Sequence, residues 1–329
     1  MTDQPKIEIP RKSLFERAEE SFGKQAGGPA PVPRDLAPPV NRRPLPKHAA
    51  APAAASAIPA PAQAIAPAPA PEPAPPPAEP MHFPEDRVHH IDRALLARHG
   101  LIQPEAQVTG LFEEFRIVKR RVLASVRKAR EAGSGAMAQR VLVCSPLPDE
   151  GKTFCAANLA LAMAAEKDSE VLLVDADFAK PSILSLFGLP RGPGFMDVLA
   201  DPAIRLEDCI LATDIPGLHV LPAGNHTNSD SEYLASTRTG EVLDMLTRGS
   251  PARIVIFDSP PVLAASPAAE LAHHVGQAIV VARADRTGQS ALEDALTLLS
   301  ACPDLKLLLN AAHFSPSGRR FGAYYGQDA

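Results

Sequence analysis

The chain reads as an α/β fold built on a mostly parallel sheet with helices on both faces. Three observations predict this. Between 139 and 312, continuous apolar runs alternate with helical stretches over short loops, the pattern of strands buried on both faces. The first run, Arg140-Val-Leu-Val-Cys144, passes through Ser145-Pro-Leu-Pro-Asp-Glu-Gly-Lys-Thr153 into a stretch of small, helix-forming residues. Two later runs end at Asp175 and Asp258, which puts carboxylates where ligands of open parallel sheets bind.

Taken in order, residues 1–27 are polar. Within them Leu14, Phe15, Ala18 and Phe22 fall at helical spacing behind Ser13, a pattern that predicts a short amphipathic helix. This helix is either a docking element or one without a role. Residues 28–85 form a Pro/Ala-rich linker, with 18 of the chain's 36 prolines between 28 and 80. Such a segment buries too little surface to offset its ordering entropy, so a disordered, extended tether is expected. The folded domain is expected over 86–312. A helix opens it, with Leu111, Phe112, Phe115, Val118, Val122 and Leu123 on one face and Glu113, Arg116 and Lys119 along the other. Strands are predicted near 140–144, 171–175, 218–222, 253–258, 278–282 and 305–309. Helices are predicted near 152–166, 182–187, 231–247, 265–274 and 288–300, with a glycine turn and short helix over 192–199. The remainder, 313–329, is a polar tail carrying Tyr324 and Tyr325, expected to be flexible.

Strand, tight loop with Gly-Lys-Thr, then helix is the arrangement that holds a nucleotide triphosphate. Loop amides, Gly151 included, would face the phosphates. Lys152 would reach the β- and γ-phosphates, and the Thr153 hydroxyl would ligate Mg²⁺. The usual first glycine is replaced by Pro146. Asp258 matches a Walker B carboxylate, which holds Mg²⁺ directly or through water. Asp175 and Asp177 are the other carboxylates in reach. One is expected to support the metal and the other to take a proton, with Asp175 favoured as the base. Asn310, at the end of the last strand, is a candidate for touching adenine. The fold is therefore expected to be P-loop NTPase-like, of the MinD/ParA kind.

Composition narrows the function classes. A net charge of −5 over 329 residues argues against a nucleic-acid binder held by a global basic field. Cys144, Cys155, Cys209 and Cys302 are scattered and suggest neither a zinc site nor a disulfide framework. With no signal peptide and no apolar run of about 18 residues, no membrane span is expected.

Pro148-Asp-Glu-Gly-Lys-Thr153, Asp175-Ala-Asp177, Asp258 and Tyr324-Tyr325 together resemble the bacterial tyrosine kinases. Val174-Asp-Ala-Asp-Phe-Ala-Lys-Pro-Ser182, Leu221-Pro-Ala-Gly224 and Leu271-Ala-His-His-Val-Gly-Gln277 look like the autokinase branch associated with exosortase and exopolysaccharide clusters. The resemblance covers roughly 86–329. It implies an ATP- and Mg²⁺-dependent autokinase acting in trans on Tyr324 and Tyr325, with Glu150 and Phe154 among the nucleotide-binding residues. It also implies a ring-like homo-oligomer paired through Glu113, Arg116 and Lys119. The implied partners are a membrane-spanning polysaccharide chain-length regulator and a tyrosine phosphatase, with no nucleic acid. The implied location is cytoplasmic, at the inner face of the plasma membrane through that partner. Asp149 stands where the family has Gly, and Lys180 near where many relatives have Arg. The alternatives are a partitioning ATPase, disfavoured by the lack of a lysine in Ser145-Pro-Leu-Pro148, and a nucleotide-sensing scaffold without kinase activity.

Overall fold

The computed structural model describes residues 81–84, 87–166 and 169–312. The expected amphipathic helix at 13–22, nearly all of the linker, and the tail with Tyr324 and Tyr325 lie outside the described residues.

The elements run β1 (Val88–His89), α1 (Arg93–Arg98), α2 (Gly110–Glu131), a 3₁₀ turn (Gly135–Gln139), β2 (Arg140–Cys144), α3 (Lys152–Ala164), β3 (Glu170–Asp175) and α4 (Ile183–Phe187). They continue α5 (Phe195–Ala200), α6 (Leu206–Cys209), β4 (Leu211–Thr213), β5 (Leu218–Leu221), α7 (Asp230–Leu234) and α8 (Thr237–Thr247). The last are β6 (Arg253–Asp258), α9 (Pro267–Ala272), β7 (Gln277–Arg283), α10 (Gln289–Leu298) and β8 (Leu305–Asn310). One eight-stranded sheet has the order β1-β4-β5-β3-β6-β2-β7-β8. Only the β4–β5 pair is antiparallel.

Side chains alternate across each strand, and the two faces build separate cores. Leu142, Leu172, Val174, Val255, Phe257 and Val280 pack with α5, α8 and α9 on one side. Val141, Val143, Leu173, Ile254, Ile256 and Val281 pack with α1 to α4 on the other. Helices on both faces are thus a direct consequence of strands that are apolar at every position.

Four details depart from the sequence expectations. Short strands β1 and β4 extend the sheet at one edge; two or three residues carry too little periodicity to be read. The helix expected over 231–247 is two helices. Ser236 breaks it, because its hydroxyl donates to the Tyr233 carbonyl at 2.6 Å and draws the chain into a turn. The packed chain also reaches further back than 86. Phe83 is buried and its ring stacks on the Arg253 guanidinium at 3.6 Å, which in turn pairs with Glu170 at 2.8 Å.

Lys119 is the fourth. Its spacing predicts the outer face of α2 with Glu113 and Arg116, but it points inward and is buried. Its Nζ donates to the Ala162 carbonyl and pairs with Glu166, both at 2.9 Å. A lysine has a long apolar stem, so it can bury that stem against α3 and deliver its charge to the helix C-terminus. Glu113 and Arg116 do stay at the surface, paired with each other at 2.6 Å.

Candidate functional site: a braced phosphate loop facing three carboxylates

Strand β2 delivers the chain into the loop at the C-terminal edge of the sheet, and Gly151 turns it into α3. Gly151 has φ +92° and caps α3 without any side-chain hydrogen bond. A Cβ there would lie 2.1 Å from Asn310 Nδ2, so only glycine fits. The first N–H groups of a helix have no intrahelical acceptor. Here no side chain takes their place, which leaves a positive, donor-rich helix end for an anion.

The loop is held from behind. Glu150 is buried. Its carboxylate accepts from Leu147 N at 2.8 Å and from the Thr287 hydroxyl. Asn310 Nδ2 donates to the Glu150 carbonyl at 2.9 Å, and Arg283 Nη1 to the Asp149 carbonyl at 3.3 Å. The Glu150 carboxylate thus faces into the protein and shapes the loop, and the Asn310 amide contacts the loop backbone. Thr287 and Arg283 escaped sequence reading. Arg283 ends β7 and Thr287 follows it, and β7 lies beside β2 only after folding.

Asp149 sits at φ +62°, in the left-handed region where Asp is tolerated and glycine is at ease. Asp149→Gly is expected to raise native stability by up to about 1 kcal/mol and, by removing a charge beside the phosphate site, to tighten nucleotide binding several-fold. Urea midpoints and a nucleotide titration measure the two effects.

In front of the loop lie three buried carboxylates. Asp175 and Asp258 end neighbouring strands in register, and Asp177 follows. Lys152 reaches among them: its Nζ is 2.8 Å from Asp177 and 4.0 Å from Asp258. Burial opposes its charge, but Asp258, Asp177 and Asp175 outweigh burial and hold the ammonium above its ordinary value. Asp258 is fully buried and neither oxygen has a close hydrogen-bond partner; its nearest polar neighbours are the Lys152 ammonium at 4.0 Å and the Thr153 hydroxyl, which both draw its carboxyl down. Burial pushes its carboxyl up to about 7 against the opposing pull of Lys152. An orphaned buried carboxylate is costly, and a hard cation would satisfy it. Among the described residues no group of three or more His, Cys, Asp or Glu is placed to cage a metal. Mg²⁺ characteristically takes one or two protein oxygens and completes its shell with substrate phosphates and water. Asp258 and the neighbouring Thr153 fit that requirement.

Asp175 differs. Its carboxylate accepts from Asp177 N at 3.2 Å, Ser182 N at 2.8 Å and Ile183 N at 3.0 Å. Three of about four lone-pair positions are taken, so the expected metal role does not suit it. Burial still lifts its carboxyl to about 6, and these donors fix its orientation. Those are the attributes of a positioned proton acceptor.

Phe154, the remaining loop-proximal residue, packs edge-on against Phe115 with ring centroids 6.5 Å apart. It lines a cavity of about 460 Å³ with Leu111, Val118, Leu308 and Asn310. Among the described residues no helix is long and apolar enough to cross a membrane.

Comparison with known proteins places this site in a lineage. No protein-family model matches the chain. It is 33% identical over 172 residues to tyrosine-protein kinase ptk of Acinetobacter johnsonii, covering 52% of this chain and 23% of that protein. It is 30% identical over 188 residues to tyrosine-protein kinase YwqD of Bacillus subtilis, covering 56% of this chain and 77% of YwqD. The kinase domain of Escherichia coli tyrosine kinase ETK superposes with a TM-score of 0.51 at 26% identity, over 62% of this chain and 80% of that one. The chain spans about a quarter of the length of several of these curated relatives. The match to YwqD extends over most of that protein. The chain therefore belongs to the bacterial tyrosine-protein kinases.

Proposed function

We propose that this chain is an ATP-dependent protein-tyrosine kinase that phosphorylates Tyr324 and Tyr325 on another copy of itself. The observation that carries the reading is the meeting of Lys152, Asp177 and the orphaned Asp258 in front of an uncapped helix N-terminus. Phosphoryl transfer is mostly positioning and charge neutralisation, and these groups supply both. In this reading Lys152 exchanges Asp177 for the β- and γ-phosphates. The amides at Gly151 and the start of α3 hold the phosphate oxygens. Thr153 and Asp258 hold Mg²⁺, which when bound neutralises charge on the β- and γ-phosphate oxygens. Asp175 accepts the phenol proton. The cavity beside Phe154 and Asn310 has the size and apolar lining to take the base.

The family resemblance supports the wider setting. The phosphorylation cycle would regulate exopolysaccharide assembly and chain length. The kinase would work as a homo-oligomer at the inner face of the plasma membrane, held there by a membrane-spanning chain-length regulator and reset by a tyrosine phosphatase. Glu113 and Arg116, half-buried and paired with each other on α2, suit a subunit contact. Lys119, being buried, would act through α2 rather than at the contact itself. The domain division also follows: tether up to about residue 80, kinase domain to 312, acceptor tail beyond.

Incubation of the purified chain with Mg-ATP, followed by mass spectrometry, is expected to find phosphate on Tyr324 or Tyr325. The rate per molecule should rise with protein concentration, as transfer between copies requires. ATP binding without phosphotyrosine, even with the cytosolic segment of the partner present, would reject the kinase reading and leave a nucleotide-sensing scaffold.

A further inference from the structure

The sheet is open on one side. Its strand order ends at β8, and among the described residues no strand pairs with the outer edge of β8. The Asp304 and Asn310 carbonyls accept from Ala278 N and Ala284 N, each at 2.9 Å. In a parallel ladder alternate residues direct both backbone groups to the same neighbour, so the even-numbered positions serve β7. Leu305, Leu307 and Leu309 therefore turn their N–H and C=O groups to the open side. Their side chains share the sheet face that Leu305 joins to the core. Leu307 and Leu309 are left 57% and 59% exposed on it.

Free edges are usually blunted by charge or proline. The charged residue of β8, Lys306, falls on the opposite face and pairs with Asp304. An apolar edge with free backbone groups accepts a further strand, and the chain that follows has the pattern of one. Ala311 has φ +52°, so the backbone turns as β8 ends. Residues 313–329 lie outside the described residues, and their sequence reads as a turn and a return. Ser315-Pro-Ser-Gly318 puts Ser, Pro and Gly at the first, second and fourth positions of a type I turn. Beyond it Phe321, Ala323 and Tyr325 alternate with Arg320, Gly322 and Tyr324, which gives a strand period with one apolar side.

We propose that residues 319–325 return antiparallel along the outer edge of β8 as an added strand of the sheet. With Phe321 opposite Leu309, Ala323 stands opposite Leu307 and Tyr325 opposite Leu305. The apolar side of the return then covers the two exposed leucines, and its backbone takes up the N–H and C=O groups that β7 leaves free. The occupant is the chain's own tail and not a second copy. The tail is tethered at Ala312, so closing a short loop costs far less than bringing two chains together. The pairing does not rest on the kinase reading. Where both hold, Tyr324 and Tyr325 are stored on the sheet edge of their own chain, and the tail has to detach before it reaches a neighbour.

The test is residue-resolved amide hydrogen exchange by NMR, without nucleotide, on the full chain and on a chain ending at Ala312. In the full chain the Leu307 and Leu309 amides are expected to exchange about tenfold or more slowly than in the shortened one. The Leu308 amide, already bonded to β7, should change little. Ala323→Pro in the full chain removes an N–H from the return strand and should bring both leucine amides back to the faster rate. Equal rates in the full and shortened chains overturn the proposal. Protection that survives the shortening and rises with protein concentration also overturns it, and assigns the edge to a second copy. Phosphate on Tyr324 or Tyr325 without this protection would remove the pairing and keep the kinase reading. Protection with no phosphate on any tyrosine would do the reverse.

Discussion

Replacing Asp258 with asparagine is expected to stabilise the nucleotide-free protein at pH 8 while lowering phosphotyrosine formation on the order of 100-fold or more. The two effects share one cause. Asp258 is fully buried without a close hydrogen-bond partner, and burial outweighs Lys152 and Thr153 to raise its carboxyl to about 7 in the folded state. Unfolded, it titrates at its ordinary value of 3.8. Between those values the native protein holds a proton that the unfolded chain has lost, so native stability falls as pH rises through that window. Asp175, raised by burial to about 6, adds to the slope in the same direction. Asparagine removes the Asp258 contribution. The melting temperature of Asp258→Asn should exceed that of wild type by about 3–6 °C at pH 8, and the gap should narrow as pH falls and close only toward the unfolded value of 3.8. The Mg-ATP-induced rise in melting temperature should grow from pH 5.5 to 7.5 in wild type, because a metal needs the deprotonated carboxylate. In the variant that rise should be small and flat. A less stable variant at pH 8 would mean that Asp258 is satisfied in a way this structure does not show.

Lys152→Met is expected to abolish the same activity but to move stability the other way. Its ammonium is the cation among Asp177, Asp258 and Asp175, with a side chain only 14% exposed against 7% for Asp177. Removing one partner of a buried pair leaves the other charge uncompensated, at a cost of about 3–5 kcal/mol. The loss should be largest at pH 8, where the carboxylates are ionised, and smallest near pH 5. Opposite stability shifts from two variants that both lose phosphotyrosine would show that the site is held under electrostatic tension before nucleotide arrives. The double variant should be closer to wild type in stability than Lys152→Met alone, since the two groups interact directly. Denaturant melts at the two pH values, read beside phosphotyrosine mass spectrometry, measure all three.

The opposed charges also explain how the apo site is kept ready. Lys152 rests against Asp177, so the phosphates must displace an existing ion pair. The loop itself need not reorganise, because Glu150, Thr287, Asn310 and Arg283 already brace it. Binding then spends little on ordering the loop.

The strands that matter were legible in the sequence because each has a continuous apolar middle and leads into a chemically marked residue. Arg140–Cys144 runs into the Gly-Lys-Thr loop, and Glu170–Asp175 and Arg253–Asp258 end in aspartate. Local periodicity and end residues are properties of contiguous chain, so the fold class, the phosphate loop and the three carboxylates follow from sequence alone. Which of those groups is satisfied and which is bare is a non-local property. Asp175 is committed to backbone donors at 177, 182 and 183, while Asp258, at the same register on the next strand, has none. Glu150 turns inward because Thr287 lies behind it, more than a hundred residues away in the chain. Lys119 sits on the polar repeat of its helix yet is buried, because α3 offers it the Ala162 carbonyl. Asp197 ties the 192–194 turn to the loop after β5, a pairing no local pattern announces. Hydrogen bonds and desolvation act through space over a few ångströms, and the pairs that meet at that range are chosen by strand order, which only the folded sheet decides.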